Sequence, residues 1–397
     1  MDLSDELVTD PYGVYERLRT TAPVHRILGT DGRPAWIVTR YDDVRAGLAD
    51  PRLSLDKKHA QAGNYQGLQL PPALDANLLN MDPPDHTRIR RLVGKAFTPA
   101  RVSQLRAPAR AVADRLLDEL GHDGSADLIA AYAAPLPVTV ICELLGIPRD
   151  RRGDFRAWTH ALIVPDSSRP RAAEQAIGAM MRFFVALIAH KRQSPEDDLL
   201  SDLIAVRDSE DGQLSEDELM SLVFLILFAG FENTVQLIGN AVWALLQHPE
   251  QLAALREDPT MIAAAVEELS RYEGPALLAI RRFPVEDVTI GGVVVPAGET
   301  VLLSLSAANR DPMRFPDPER LDIGRDASGH LALGHGIHYC LGAPLARAET
   351  EIALTALLER FTVLELDGDD AAQWRRSLRA RGLKSLQVRF RTGAPGR

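Results

Sequence analysis

The chain has 397 residues, 46% of them hydrophobic, and a formal net charge of -10. That balance excludes a general nucleic-acid binder, which presents a basic face, and two cysteines, Cys142 and Cys340, exclude a disulfide framework. The first seven residues are acidic and carry no apolar h-region, so no signal peptide or membrane anchor is expected and the cytoplasm is the expected compartment. Pro and Gly are scattered rather than gathered into a linker, so one domain over 1–397 is expected, large enough to enclose a cofactor.

In chain order, residues 35–39 read as a strand and 41–50 as a helix ending before Pro51, which suggests a small β-rich lobe. Residues 53–79 hold Gly63, Gly67, Pro71 and Pro72 with little periodicity and read as a long functional loop. Pro83 and Pro84 then introduce a helix on which His86 and Arg90, four apart, share a face and can donate to one anionic group. From 103 to 193 the pattern is helical, broken at 121–125, at Pro135 and Pro137, around Pro148 and at 165–170.

Ser215 and Glu218 form a capping-box pattern that opens a long helix to about Gln247. It is apolar almost all round through Phe231, so it belongs in a core. Its longest uncharged apolar stretch, 219–231, has about 13 residues, short of the roughly 20 that cross a membrane. Gly230, Glu232, Asn233 and Thr234 interrupt that helix. A mid-helix glycine costs about 1 kcal/mol against alanine, and a buried carboxylate is costly without partners. Such local inconsistency is expected at functional sites.

Further on, Glu268 and Arg271 stand at i, i+3 and can pair. Arg281 and Arg282 precede strands around 288–290 and 293–295, joined by a Gly291-Gly292 turn. The run 333–342 then offers one thiol, Cys340, among glycines and two histidines, His335 and His338, and Pro344 marks a helix start just behind it. Helix N-termini favour thiolate, the metal-ligating form. One thiol makes a zinc or iron–sulfur cage improbable, and a single axial bond to heme iron fits better.

This stretch resembles the heme-binding loop of the cytochrome P450 family: Gly336, His338, Cys340 and Gly342 match its Gly-x-His-x-Cys-x-Gly pattern, with Leu333 where the family usually has Phe. That departure is expected to change redox potential or heme stability rather than binding. The resemblance covers nearly the whole chain and implies a mainly α fold with a smaller β-rich lobe. Heme b would lie between the long central helix and the cysteine loop, with Cys340 on the metal and Gly334 and Gly342 admitting close approach. By the same resemblance His86, Arg90, Arg282 and His338 hold the propionates, with Arg281 the alternative to Arg282. Glu268, Arg271 and Arg320 form a structural triad.

Ala229, Gly230 and Glu232 match the family's Ala-Gly-x-(Asp/Glu)-Thr oxygen-side segment, but Asn233 occupies the threonine position. Thr234 follows about 100° round the helix, and an amide cannot donate and regain a proton as a hydroxyl does. Either Asn233 orders a water chain from Glu232 or a substrate hydroxyl supplies the missing group. Leu79, Leu162, Phe228, Phe231, Leu277, Leu278 and Ile280 are the expected substrate-lining residues.

The activity implied is monooxygenation, hydroxylation or epoxidation, of a bulky secondary metabolite such as a polyketide or macrolide. A steroid or terpenoid is the alternative substrate; a peroxygenase, a nitric oxide reductase or a non-catalytic recruitment domain are alternative functions. With no flavin domain, electrons are expected from a ferredoxin and its reductase, docked on Arg88, Arg91, Lys95, Arg101 and Arg347. A monomer is expected.

Overall fold

The computed structural model describes residues 4–28, 32–64, 78–94, 97–163, 171–208 and 214–393. Within them a few helical side chains, Leu162 and Phe228 included, lie outside the description, as do Lys95 and the 164–170 break. The described chain is mainly helical with smaller sheets.

Its central helix, Glu216–Gln247, starts on the expected capping box. Glu218 N–H donates to Ser215 Oγ (3.1 Å) and Ser215 N–H returns to Glu218 Oε2 (2.7 Å), which satisfies two donors that a helix start otherwise leaves open. Long and apolar enough to cross a membrane, it has 71% of its most apolar window buried inside the protein. It is a core helix. The main apolar cluster gathers around it, including Leu222, Val223, Leu227, Phe231 and Ile238 together with Ile141, Leu345 and Leu357 from neighbouring helices.

One polar stripe runs down this helix at four-residue spacing. Glu232 pairs with Arg375 and accepts from Gln236 Nε2 (3.2 Å); Gln236 Oε1 accepts from Leu383 N–H (2.7 Å); Asn240 Nδ2 donates to the carbonyls of Glu273 (3.0 Å) and Arg381 (3.1 Å). Three side chains on one face thus fasten the helix to the C-terminal strands. Those strands, Ala372–Trp374 and Leu383–Arg391, pair with each other, and Leu383–Arg391 also pairs with Val363–Leu366 and Asp123–Asp127. The expected break at 121–125 is present, with the helix Pro99–Leu120 capped at Gly121, and Asp123–Asp127 beyond it forms a strand whose partner lies more than 250 residues away in sequence. The expected break at Pro135 is present, since the helical turn Ile129–Ala133 ends just before it and Pro135 opens the helix Pro135–Leu144; Pro137 does not break that helix, because it sits in the first turn, where a missing N–H costs little.

The β-rich part is a three-stranded sheet, Val24–Leu28 antiparallel to Pro34–Val38, which runs parallel to Val301–Leu303. Val288–Ile290 and Val293–Val295 form the expected hairpin, whose Gly291 (φ 55°) and Gly292 (φ 82°) both need the left-handed conformation of a two-residue turn. These strands and the helix Tyr41–Ala49 share a second apolar cluster, with Val38, Val44, Leu53 and Leu303 at its centre.

Candidate active site

Cys340 lies two residues before the N-cap, Gly342, of the helix Ala343–Arg360. Its N–H donates to Leu333 O (2.9 Å), closing the loop on itself. Gly336, at φ 72°, would place a Cβ 3.1 Å from Leu48 O, so only glycine lets this loop meet the helix Tyr41–Ala49. At Gly342 the constraint is different, since its φ is ordinary and a Cβ would lie 4.0 Å from the Cys340 sulfur. The residue is exposed, yet enough protein surrounds the sulfur to desolvate it. That surround pushes its thiol up, against the N–H groups of Gly342 and Ala343 and the charges of Arg90 and Arg347, which pull it down. Helix-terminus stabilisation is present, but burial outweighs it.

Beside the loop, His86 and His338 have ring centroids 4.1 Å apart, and His86 is 1% exposed with neither ring nitrogen hydrogen-bonded. Buried polar atoms without partners are rare and call for an explanation. Arg282, also buried, donates Nη1 to Leu53 O (3.1 Å) and Nη2 to Leu48 O (3.2 Å), and its Nε has no partner. Arg90 donates Nη2 to Tyr339 O (2.5 Å). Burial first, then His86, Arg282 and Arg90, hold His338 down at about 3; burial, then Arg90, lowers His86. Burial lowers Arg282 to about 10, with Asp82 and Asp50 opposing. Asp82 itself is taken up by Ser54 Oγ and Leu55 N–H. Four basic side chains converge where ring donors lack acceptors, an arrangement that fits the carboxylates of a bound anionic group. With the adjacent sulfur, the set fits a thiolate-ligated heme with its propionates.

On the central helix, Ala229 and Asn233 are the only exposed side chains among those described between Leu219 and Leu246. Four residues apart, they share one face. Gly230 faces elsewhere: its position is filled by Ile141 of the helix Pro135–Leu144. Thr234 is buried and turned away from Asn233, its hydroxyl donating to Gly230 O (3.4 Å) and facing the fully buried Glu349 of the helix after Cys340. Burial raises the Glu349 carboxyl, with Thr234 acting weakly the other way.

Several expectations are corrected. Arg271 holds Glu268 through Nε (2.7 Å) and Nη2 (2.8 Å), as its spacing suggests, but the second arginine on that carboxylate is Arg325 (3.2 Å). Arg320 has a 67% exposed side chain near Asp322 and contributes only its carbonyl to Arg271 and Arg325. The reason is the turn at Asp317 (φ 49°), after which the chain doubles back and brings the later arginine to the carboxylate. Phe231, Leu277 and Leu278 are packed in core clusters rather than lining open space. Leu79 and Ile280 are half-buried, and the Leu162 and Phe228 side chains lie outside the described residues.

The basic face is also largely spent. Arg88 pairs with Glu218 (2.5 Å) and Asp85 (3.3 Å), Arg101 with Asp202 (2.6 Å) and Asp197 (3.2 Å), and Arg347 with Glu267 (2.5 Å). Arg91 alone of the five is exposed with no ion pair among the described residues, Lys95 being outside them. Sequence reasoning missed Glu267, Arg325 and Arg375. Glu267 was in view as the neighbour of Glu268, whereas no local pattern singles out Arg375.

The cytochrome P450 family model matches residues 141–377. Cytochrome P450 monooxygenase PikC of Streptomyces venezuelae is 47% identical over 98% of this chain and 94% of its own length. The 6-deoxyerythronolide B hydroxylase of Saccharopolyspora erythraea is 46% identical over 98% of each chain. Among solved structures, the tirandamycin C-bound P450 monooxygenase TamI superposes with a TM-score of 0.90 at 43% identity, covering 98% of this chain and 100% of that one. With such identity sustained from end to end, the chain belongs to the cytochrome P450 family and is one of its monooxygenases.

Proposed function

We propose that this monooxygenase acts on a polyketide-class substrate, a macrolide or similar hydroxyl-bearing metabolite, and that Cys340 would ligate the heme iron while His86, Arg90, Arg282 and His338 would hold the propionates. The observation that carries the site reading is the buried His86 ring, without hydrogen bonds among converging cations. Bound heme b supplies oxygen activation and transfer of one oxygen atom to a C–H or C=C bond. What the chain's own residues supply is shape and protons.

Asn233 and Ala229 offer the reacting face an amide and a methyl group and no hydroxyl. Glu232 is held by Arg375 and Gln236, which orients it without burying it fully. Protons therefore pass by water ordered on the Asn233 amide or by a hydroxyl of the substrate. The names of the relatives support the substrate class: one is a 6-deoxyerythronolide B hydroxylase, another a mycinamicin IV hydroxylase/epoxidase. Electrons come from a separate ferredoxin and its reductase.

The test is a spectral titration of the ferric protein with paired hydroxylated and deoxygenated macrolactones, then turnover with ferredoxin, reductase and NAD(P)H. Spin-state shifts and oxygenated product with macrolactones support the reading; a response confined to steroids or terpenoids sinks the substrate class. Asn233→Ala decides the proton route. Product per reducing equivalent that stays unchanged with a hydroxylated substrate rules out the Asn-ordered water chain.

A further inference from the structure

Glu267, one residue before the Glu268 that binds Arg271, is engaged in an entirely different contact. On the helix Ile262–Glu273 it accepts Arg347 in a two-pronged pair, Nε to Oε1 (2.5 Å) and Nη2 to Oε2 (2.8 Å). Such fork-on-fork geometry fixes orientation as well as charge. The remaining arm of Arg347, Nη1, donates to the Tyr339 hydroxyl (3.0 Å). Tyr339 is the residue next to Cys340, and its carbonyl is held from the other side by Arg90 (2.5 Å). The residue before the sulfur is thus gripped at both ends.

A third member fixes Glu267 in turn. His330 Nδ1 accepts the Ala332 N–H (3.1 Å), so the ring proton sits on Nε2, which donates to Glu267 Oε2 (3.2 Å). The carboxylate then has a donor on each oxygen and links three segments: its own helix, the run leading into the cysteine loop, and the helix leaving it. Arg347 is also close enough for its charge to act on the Cys340 sulfur. Glu267 offsets that charge.

We infer that Glu267 is a positioning residue for the cysteine loop, acting through Arg347 on Tyr339 to fix where the sulfur stands and how much positive charge it feels. Arg347 is thereby assigned to the loop rather than to partner docking. The inference rests on Cys340 as the residue that would ligate the heme iron and deepens that reading.

The test uses the holoenzyme and two readouts, the ferric/ferrous midpoint potential and the rate at which the thiolate-type band of the carbon monoxide complex is lost on warming. Glu267→Gln keeps the side-chain shape and removes the charge. Its potential shifts to a more positive value and its band is lost several-fold faster. Tyr339→Phe severs the grip but leaves both charges, so it accelerates loss of the band with little change in potential. Arg347→Lys keeps a positive charge without the fork and behaves like Tyr339→Phe; it serves in place of Glu267→Gln should that variant fail to fold. Wild-type potential and band lifetime in Glu267→Gln, with only a lower unfolding temperature, overturn the inference, as does an unchanged band lifetime in Arg347→Lys. A wild-type protein with no thiolate-type band overturns the assignment of Cys340 itself, a separate outcome.

Discussion

Gly230 and Ile141 occupy each other's space: a Cβ on Gly230 would lie 2.8 Å from Ile141 Cδ1. The missing side chain in the central helix therefore admits a neighbouring helix, while Ala229 and Asn233 keep the open face. Replacing Gly230 by Ala gains about 1 kcal/mol of helix propensity and loses a similar amount or more to overpacking, which commonly costs about 1–3 kcal/mol. Ile141→Val removes the clashing methyl. The gain from Gly230→Ala is thus expected to emerge only in the Ile141→Val background, with a coupling of at least about 0.5 kcal/mol by urea unfolding of the two single variants and the double variant. Simple additivity would show that the contact imposes no constraint.

Arg325 and Arg320 are expected to differ sharply as alanine variants. Arg325→Ala leaves the fully buried Glu268 paired with Arg271 but without its second arginine, and removing one donor from a buried charged group costs about 1.5–3 kcal/mol. Arg320→Ala removes an exposed side chain and should stay within about 0.5 kcal/mol. Chemical denaturation of the two variants measures the difference directly.

Acid stability carries the signature of Glu267. Burial would raise its carboxyl, but the hydrogen bonds from Arg347 and His330 hold it at about 2, against an ordinary value of 4.5. Its folded value is below its unfolded one, so its contribution is complete above about pH 4.5 and is lost as pH falls towards 2. Unfolding free energy measured from pH 6 downward should fall less steeply across that window in Glu267→Gln than in the wild type. Equal slopes would show that the pair contributes nothing to the acid limb.

For the redox partner, Arg91 is the informative substitution. Arg91→Glu reverses an exposed charge that no described ion pair uses, so it should slow ferredoxin-dependent reduction and weaken its dependence on ionic strength, with unfolding temperature unchanged. Arg88→Glu would instead oppose Glu218 and Asp85 and mix a folding defect into the kinetics. If Arg91→Glu reduces at the wild-type rate at low and high salt, partner docking does not use this face.

The sequence disclosed what short-range rules govern. The capping box, the Gly291-Gly292 hairpin, the Glu268–Arg271 pair and the placing of His86 beside Arg90 on one helix all follow from spacings of a few residues. Arg325 escaped because a turn, not a spacing, brings it to Glu268. Phe231, Leu277 and Leu278 were misplaced because an apolar residue next to a site motif looks the same whether it faces a ligand or its neighbours. The strand at Asp123–Asp127 was read as a mere interruption because its polar residues become a strand only by pairing with Leu383–Arg391.

That late strand has a temporal consequence. Gln236 already bonds Glu232 and Asn240 already reaches the Glu273 carbonyl, but the contacts that fasten the stripe to Arg375, Leu383 and Arg381 span 143, 147 and 141 residues. Contacts of such span are slow to form because the loop must close before they reward it. The polar stripe in the middle of the chain thus gains its full set of partners only with the C-terminal strands.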